Sequence, residues 1–221
     1  MFARVIAALC QKNVVTMTQI KMNNVKAEIL LEGVFLSLKN AENLCKEAEL
    51  LHQHDMYARS YALSHFAREE VGKSLMLARA YIERLAGIKI DWKLLNRRFR
   101  NHKNKLGGDA AFSVAILGKG MLEEGFNPEI AFKVIEGANN RKNSCLYTDW
   151  KDGKFVDPSK VINGHQSDRN LSMAKFRVEL AIAVCEELPK LQDTSKEQLL
   201  SNYTDPSDIK GIEDIIGLFD I

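Results

Sequence analysis

Nine consecutive residues, Arg97-Arg98-Phe99-Arg100-Asn101-His102-Lys103-Asn104-Lys105, hold five cations and one histidine. A guanidinium grips phosphate through parallel hydrogen bonds, and an imidazole moves protons near neutral pH. These are the parts needed to cleave a phosphodiester without a metal. On that reading Arg97 and His102 are the catalytic pair. Their R-x4-H spacing lets both side chains converge if the helix carrying Arg97 ends near Asn101. Arg98, Arg100, Lys103 and Lys105 then bind RNA phosphates. A solvated helix face is the plain alternative for the same run. Arg59 and His65 form a second match, R-x5-H, so spacing alone does not choose.

A second group lies upstream. At about 100° per residue, Ala62, Phe66, Glu69, Lys73, Met76 and Ala80 fall within about 40° of one line. Glu69 and Lys73 therefore sit inside an apolar stripe, with Glu70 at its edge. Buried charges are expensive unless paired. Glu69 and Lys73 stand at i and i+4 with the acid first, the favourable order for a self-satisfied ion pair. Alternatively they orient a partner, either the basic segment Arg97–Lys105 or Arg141. Gly72 inside the same helix costs roughly 1 kcal/mol relative to Ala, and a closely crossing segment would explain it. His65 and Glu69 are also metal-ligand types. A di-metal bundle, however, needs paired Glu and Glu-x-x-His sets, and no second set stands at matching positions. No metal and no cofactor is expected.

The elements that must position these groups read as helices. Lys26 to about Gln53 carries Ala41, Leu44, Cys45, Ala48 and Leu51 on one face. A short turn follows at His52–Asp55. Tyr57 to Leu85 is rich in helix formers, with Gly87 as its C-cap. The two should form an antiparallel hairpin. Asp91 can cap a third segment, Trp92 to Lys105, which Gly107-Gly108 ends. Ala110–Leu122 is a small-residue helix. Asn127 and Pro128 open another, reaching about Asn139. Arg141–Gly164 reads as one long irregular loop, with turn chemistry at Asp152-Gly153, Asp157-Pro158 and Asn163-Gly164. Ser167 or Asp168 starts the last long helix, through Leu188. Short helices follow, the last near Ile212–Phe219. No strand run is evident. The fold class is all-α.

Composition narrows the function classes. There are 31 basic and 29 acidic side chains, for a formal net charge of +2. Nucleic acid must therefore be met by a local patch, since no broad field exists. Cys10, Cys45, Cys145 and Cys185 include no C-x-x-C pair, which argues against structural zinc and against a disulfide framework. A reducing cytoplasm is the expected compartment. Val5–Cys10 is too short for a signal-peptide core, and no stretch nears the roughly 18 apolar residues of a membrane span. No Gly-rich phosphate loop, G-x-S-x-G elbow or H-E-x-x-H motif is present.

Three elements in order carry a resemblance. The first is Asn40-Ala41-Glu42-Asn43-Leu44 through Tyr57-Ala58-Arg59-Ser60-Tyr61-Ala62-Leu63 to Arg68-Glu69-Glu70-Val71-Gly72-Lys73. The second is His102-Lys103-x-Lys105. The third is Arg141 followed by Leu146-Tyr147-Thr148-Asp149. Together they resemble the AbiV-type abortive infection proteins, over roughly Asn40 to Pro158. The resemblance implies a HEPN-like helical bundle with long antiparallel core helices. The length suits one helical domain over 1–221, with a family-like core at about 40–188, an N-terminal extension 1–35 and a short-helix tail 190–221. The resemblance further implies anti-phage defence, toxin-like interference with RNA or translation, and a homodimer. Many HEPN members are metal-independent RNases with an R-x4–6-H motif on the last core helix, whereas Arg97–His102 comes earlier. Glu69, Glu70, Lys73, Arg141, Tyr147 and Asp149 would support and orient the basic segment. A second reading is a non-catalytic module that binds a phage protein, or a component of the translation machinery, and needs no His102.

Overall fold

The computed structural model describes residues 21–102, 105 and 128–202, with side chains between 128 and 136 left aside. The expected features at Val5–Cys10, Lys103, Gly107-Gly108, Ala110–Leu122, Asn127 and Ile212–Phe219 lie outside the described residues. The rest is mostly helical, as the periodicity predicts.

Helix α1 spans Ala27–Gln53 and α2 spans Tyr57–Ala86. The turn between them closes with Met56 N–H donating to Leu51 C=O at 2.9 Å, and Asp55 takes the left-handed conformation. It folds α2 back antiparallel to α1. Gly87, at φ 75°, ends α2 as a left-handed cap. Helix α3, Trp92–Arg100, starts where Asp91 accepts from Leu94 N–H at 2.9 Å. It stops sooner than the expected Lys105, because Asn101 turns extended, at ψ 119°.

Helix α4 spans Pro128–Leu146, passing well beyond Asn139. Arg141 is therefore helical, and the irregular loop is shorter than expected. What remains is not structureless either. Strands β1, Asp149–Lys151, and β2, Lys154–Val156, form an antiparallel hairpin. The turn residues Asp152 and Gly153 both have positive φ, 51° and 78°. That is the pairing Asp-Gly favours in a two-residue hairpin turn. A 3₁₀ turn at Pro158–Lys160 follows. Helix α5 spans Gly164–Cys185, opening a turn earlier than Ser167. The reason is a capping box: Asn163 and Gln166 satisfy each other's backbone N–H groups at 2.9 and 3.1 Å. A 3₁₀ segment at Leu188–Asp193 and the short α6, Lys196–Asn202, complete the described chain.

The core lies between α1, α2 and α5. Leu30, Val34, Leu38, Ala41 and Cys45 of α1 meet Ala67, Val71, Leu77 and Tyr81 of α2. Ala174, Val178, Ala181 and Cys185 of α5 close the layer. Leu30 and Val34 fall inside the expected N-terminal extension, yet they belong to this core. Polar ties set the directions. Lys175 Nζ meets Glu49 Oε1 at 2.6 Å and His52 Nδ1 meets Ser167 Oγ at 3.0 Å, so α5 runs antiparallel to α1. Asn170 donates to Tyr61 C=O and Tyr81 donates to Leu188 C=O, so α5 runs parallel to α2. Helix α4 packs across the other flank of α2, where Cys145 joins Ala58, Tyr61, Ala62 and Ile162. Helix α2 is thus surrounded, which is why buried positions appear around nearly its whole circumference.

Cys45, Cys145 and Cys185 are buried free thiols, and burial pushes each up to about 11. They behave as small apolar residues. Among the described residues, no helix is long and apolar enough to cross a membrane.

Asn163→Ala removes the α5 cap and should lower stability by about 1 kcal/mol. Urea unfolding followed by circular dichroism measures it. An unchanged midpoint would mean that the box does not hold the helix start.

Candidate functional site

The site grows from one side chain. Glu69 lies on the middle of α2 and is 2% exposed. Its Oε1 accepts from Lys142 Nζ of α4 at 2.9 Å. Its Oε2 accepts from Lys105 Nζ at 2.9 Å and meets His102 Nδ1 at 2.6 Å. Two separate pieces of chain, the segment 102–105 and α4, therefore converge on one carboxylate of α2. Burial alone would raise the Glu69 carboxyl. The hydrogen bonds and charges of Lys105 and Lys142 outweigh that and bring it from 4.5 down to about 2.

An ionised carboxylate only accepts hydrogen bonds. His102 must therefore carry its proton on Nδ1 and donate it to Glu69. In the neutral ring the Nε2 lone pair is then free of a proton. The His102 side chain is 53% exposed, so this ring is available to a ligand on its other side.

Gly72 explains how the segment gets so close. A Cβ built there would lie 1.9 Å from the Lys105 carbonyl oxygen. Only a residue without a side chain lets the Lys105 backbone press against α2. Phe99 adds a second hold, with Lys73 Nζ 5.6 Å from its ring centroid. Lys142 Nζ likewise sits 5.0 Å above the Phe66 ring.

His65, one turn before Glu69, is fully buried. Its Nε2 stands 3.8 Å from Glu69 Oε1, beyond hydrogen-bond reach, and neither ring nitrogen has a hydrogen-bond partner. Burial, then Arg68, lowers it from 6.5 to about 3, so the ring is neutral. Among the described residues no three His, Cys, Asp or Glu side chains gather as metal ligands.

A family model described as AbiV, of the HEPN type, matches residues 29–179. The chain belongs to the AbiV family. No curated protein and no solved structure gives a significant match. AbiV membership implies abortive-infection defence against phage. The matched span begins within α1 and reaches most of the way along α5, so it takes in the whole carboxylate cluster.

The expected site residues of this AbiV chain separate into groups. Glu69, His102 and Lys105 come together. Lys105 is buried, with its ammonium on Glu69. Lys73 bonds Glu70 instead of Glu69, because the α2 face that carries Glu69 is already taken by Lys105 and Lys142. Arg97, Arg98 and Arg100 occupy the last turn of α3, just before His102. Arg141 is on α4 beside the Tyr61 hydroxyl, one residue from the true Glu69 partner. Tyr147 and Asp149 stand outside the cluster, exposed beyond the end of α4. Lys142 was not singled out in the sequence. Its signal was legible only as a cation in a helix, once that helix is extended past Asn139.

Two outcomes follow. Gly72→Ala raises helix propensity by roughly 1 kcal/mol, yet should destabilise the protein, since the Lys105 backbone must move away. Thermal unfolding should show a lower Tm, and a higher one would remove the close crossing. The second outcome concerns acid. His65 binds its proton later in the folded than in the unfolded chain. Its contribution is complete above 6.5 and lost as pH falls from there toward 3. Glu69 adds a further loss as pH falls from 4.5 toward 2. His65→Leu should therefore flatten the stability–pH curve between pH 6.5 and 4.5 relative to wild type. Parallel curves in urea titrations would show that His65 does not titrate in this way.

Proposed function

We propose that this AbiV protein defends against phage by metal-independent cleavage of RNA at His102. The observation that carries this reading is the Glu69–His102 hydrogen bond. It fixes the tautomer and orientation of a half-exposed imidazole beside a run of arginines. A buried acid that orients a histidine is the arrangement by which proton-transfer groups are held ready.

The chemistry is balanced without a cofactor. The His102 Nε2 takes the proton of an RNA 2′-hydroxyl. The 2′ oxygen bonds the adjacent phosphorus, and the bond from phosphorus to the 5′ oxygen breaks. That oxygen leaves with a proton returned by the imidazolium. The products are a 2′,3′-cyclic phosphate and a 5′-hydroxyl. Arg97, with Arg98 and Arg100, offers charge to the phosphate as negative charge builds there. Lys105 and Lys142 do not touch substrate. They hold Glu69 ionised, and the ionised carboxylate holds His102. A homodimer would bring two such sites near a shared face.

The test combines RNA and phage. Purified wild type should cut single-stranded RNA in EDTA to products with cyclic-phosphate ends. His102→Ala should lose cleavage by at least about 100-fold, in keeping with the usual worth of a proton-transfer group, and should lose plaque protection at equal soluble protein. Full protection by His102→Ala with intact cellular RNA would overturn the nuclease and leave the protein-binding reading.

A further inference from the structure

The β1–β2 hairpin stands apart from the Glu69 cluster as a sheet of two strands, each with one open edge. Asp149, Trp150 and Lys151 of β1 are all exposed. Trp150 and Phe155 are opposite each other in register, and their rings meet edge to face with centroids 4.9 Å apart. They remain 61% and 73% exposed, and Tyr147 at the root of the hairpin is 68% exposed. Large apolar side chains gathered in water on one surface mark an interaction site.

The ribbon is anchored at both ends. Arg59 Nη1 donates to Leu146 C=O at 3.2 Å, and the neighbouring Cys145 is in the core. On the other side Asp157 caps the 3₁₀ turn, and Ile162 is buried in the same cluster. An edge fixed in advance loses little freedom when another strand joins it.

Hydrogen-bond phase decides which backbone groups that edge offers. Lys151 and Lys154 flank the two-residue Asp152-Gly153 turn, and the first and last residues of such a turn bond each other. Antiparallel pairs alternate between bonded and non-bonded. The next pair, Trp150 and Phe155, therefore points its N–H and C=O groups outward. Trp150 N–H accordingly donates to the side chain of Asp149, at 2.8 Å. A strand added to β1 centres on Trp150.

Charge decides which strand that is. On the face opposite the rings, Lys151 lies directly across from Lys154, an unfavourable like pair. The β1 sequence Asp149-Trp150-Lys151 is its own complement when turned antiparallel about Trp150. Asp149 of each copy then faces Lys151 of the other. Every Lys151 gains a carboxylate on one side to offset Lys154 on the other. On the ring face the two Trp150 side chains become neighbours, each flanked by its own Phe155, and aromatic cross-strand pairs are favourable. The other arrangements lack this match. Parallel copies of β1 set Asp149 against Asp149 and Lys151 against Lys151. Antiparallel copies of β2 set Lys154 against Val156.

We infer that β1 pairs with β1 of a second copy of this chain, with the two-fold axis at Trp150, to form a four-stranded antiparallel sheet. The contact is isologous, each copy offering the same patch. The inference rests on the homodimer of the proposed function and supplies an interface for it, independent of cleavage at His102. Trp150, Phe155 and Tyr147, each about two-thirds exposed, offer at most roughly 300–500 Å² per copy. That is below the about 800 Å² per partner of a standard interface, so the dimer is weak and depends on concentration.

The experiment is sedimentation equilibrium of full-length protein from low micromolar to several hundred micromolar. Wild type should pass from monomer to dimer, and His102→Ala should do the same. Asp149→Lys and Lys151→Asp each set like charges face to face twice, and each should weaken self-association at least about tenfold. An equimolar mixture of these two variants should associate like wild type, because every lysine of one strand then faces an aspartate of the other. Position is read by cross-linking. A bonded pair at the axis has Cα atoms about 5.5 Å apart, within disulfide reach. Trp150→Cys should therefore give an oxidised dimer above the wild-type background. Phe155→Cys, three strand spacings or about 14 Å from its copy, should not. Circular dichroism confirms the fold of these surface variants. Wild type that stays monomeric throughout overturns the interface and the homodimer with it. A dimer indifferent to both charge reversals keeps the homodimer and overturns this interface. Reversals that weaken association but do not rescue each other in the mixture overturn the self-pairing of β1. Dimerisation as expected, with no RNA cleavage by wild type, overturns the nuclease alone.

Discussion

A single buried carboxylate organises the described chain. Glu69 would be intolerable alone in the middle of α2, and removing one member of a buried ionic group typically costs about 3–5 kcal/mol. His102 and Lys105 reach it from one short segment after α3, and Lys142 reaches it from α4. The apolar core of α1, α2 and α5 does not need this group to exist. The charged group ties the segment after α3 to α2 and adds to the apolar contacts by which Cys145 of α4 packs there. Charge pairing thus supplements apolar packing, and it yields a defined geometry for one imidazole.

That geometry depends on backbone as much as on charge. The ammonium of Lys105 arrives at Glu69 because its own main chain lies against Gly72. A helix with a side chain at that point would keep the segment too far out for a 2.6 Å contact from His102. The same economy of space runs through the seams of the bundle, where Ala41, Ala62, Ala67, Ala174 and Ala181 are fully buried. Small residues let α2 be covered on all sides, and full coverage is what makes Glu69 respond to its partners rather than to water.

Much of this was legible in the sequence. The long helices followed from 3.6-residue periodicity, and Asp91 and Gly87 marked ends that the structure keeps. Glu69 stood out as a charge on an apolar line, and Gly72 as a sign of close approach. The choice of partner was not legible. Local spacing favoured Lys73, but i,i+4 geometry says nothing about which tertiary neighbour arrives first. Lys142 was hidden by an end placed too early for α4, where Asn139 and Asn140 imitate a stop. The hairpin was hidden differently. Asp152-Gly153 gave its turn, while strands of three residues are too short to show alternation. His102 was singled out by its type, but its hydrogen-bond partner comes from 33 residues away, a relation that no local pattern records.

The order of synthesis gives the Glu69 cluster a further meaning. Lys142 follows Glu69 by 73 residues, so at about 5–20 residues per second it leaves the ribosome roughly 4–15 seconds later. During that interval α1 and α2 can already pair, with the carboxylate still facing water. The nascent chain thus carries its first helix pair before it carries the completed carboxylate cluster. A chain broken off ahead of α4 keeps the α1–α2 pair, lacks α5 and never completes the cluster.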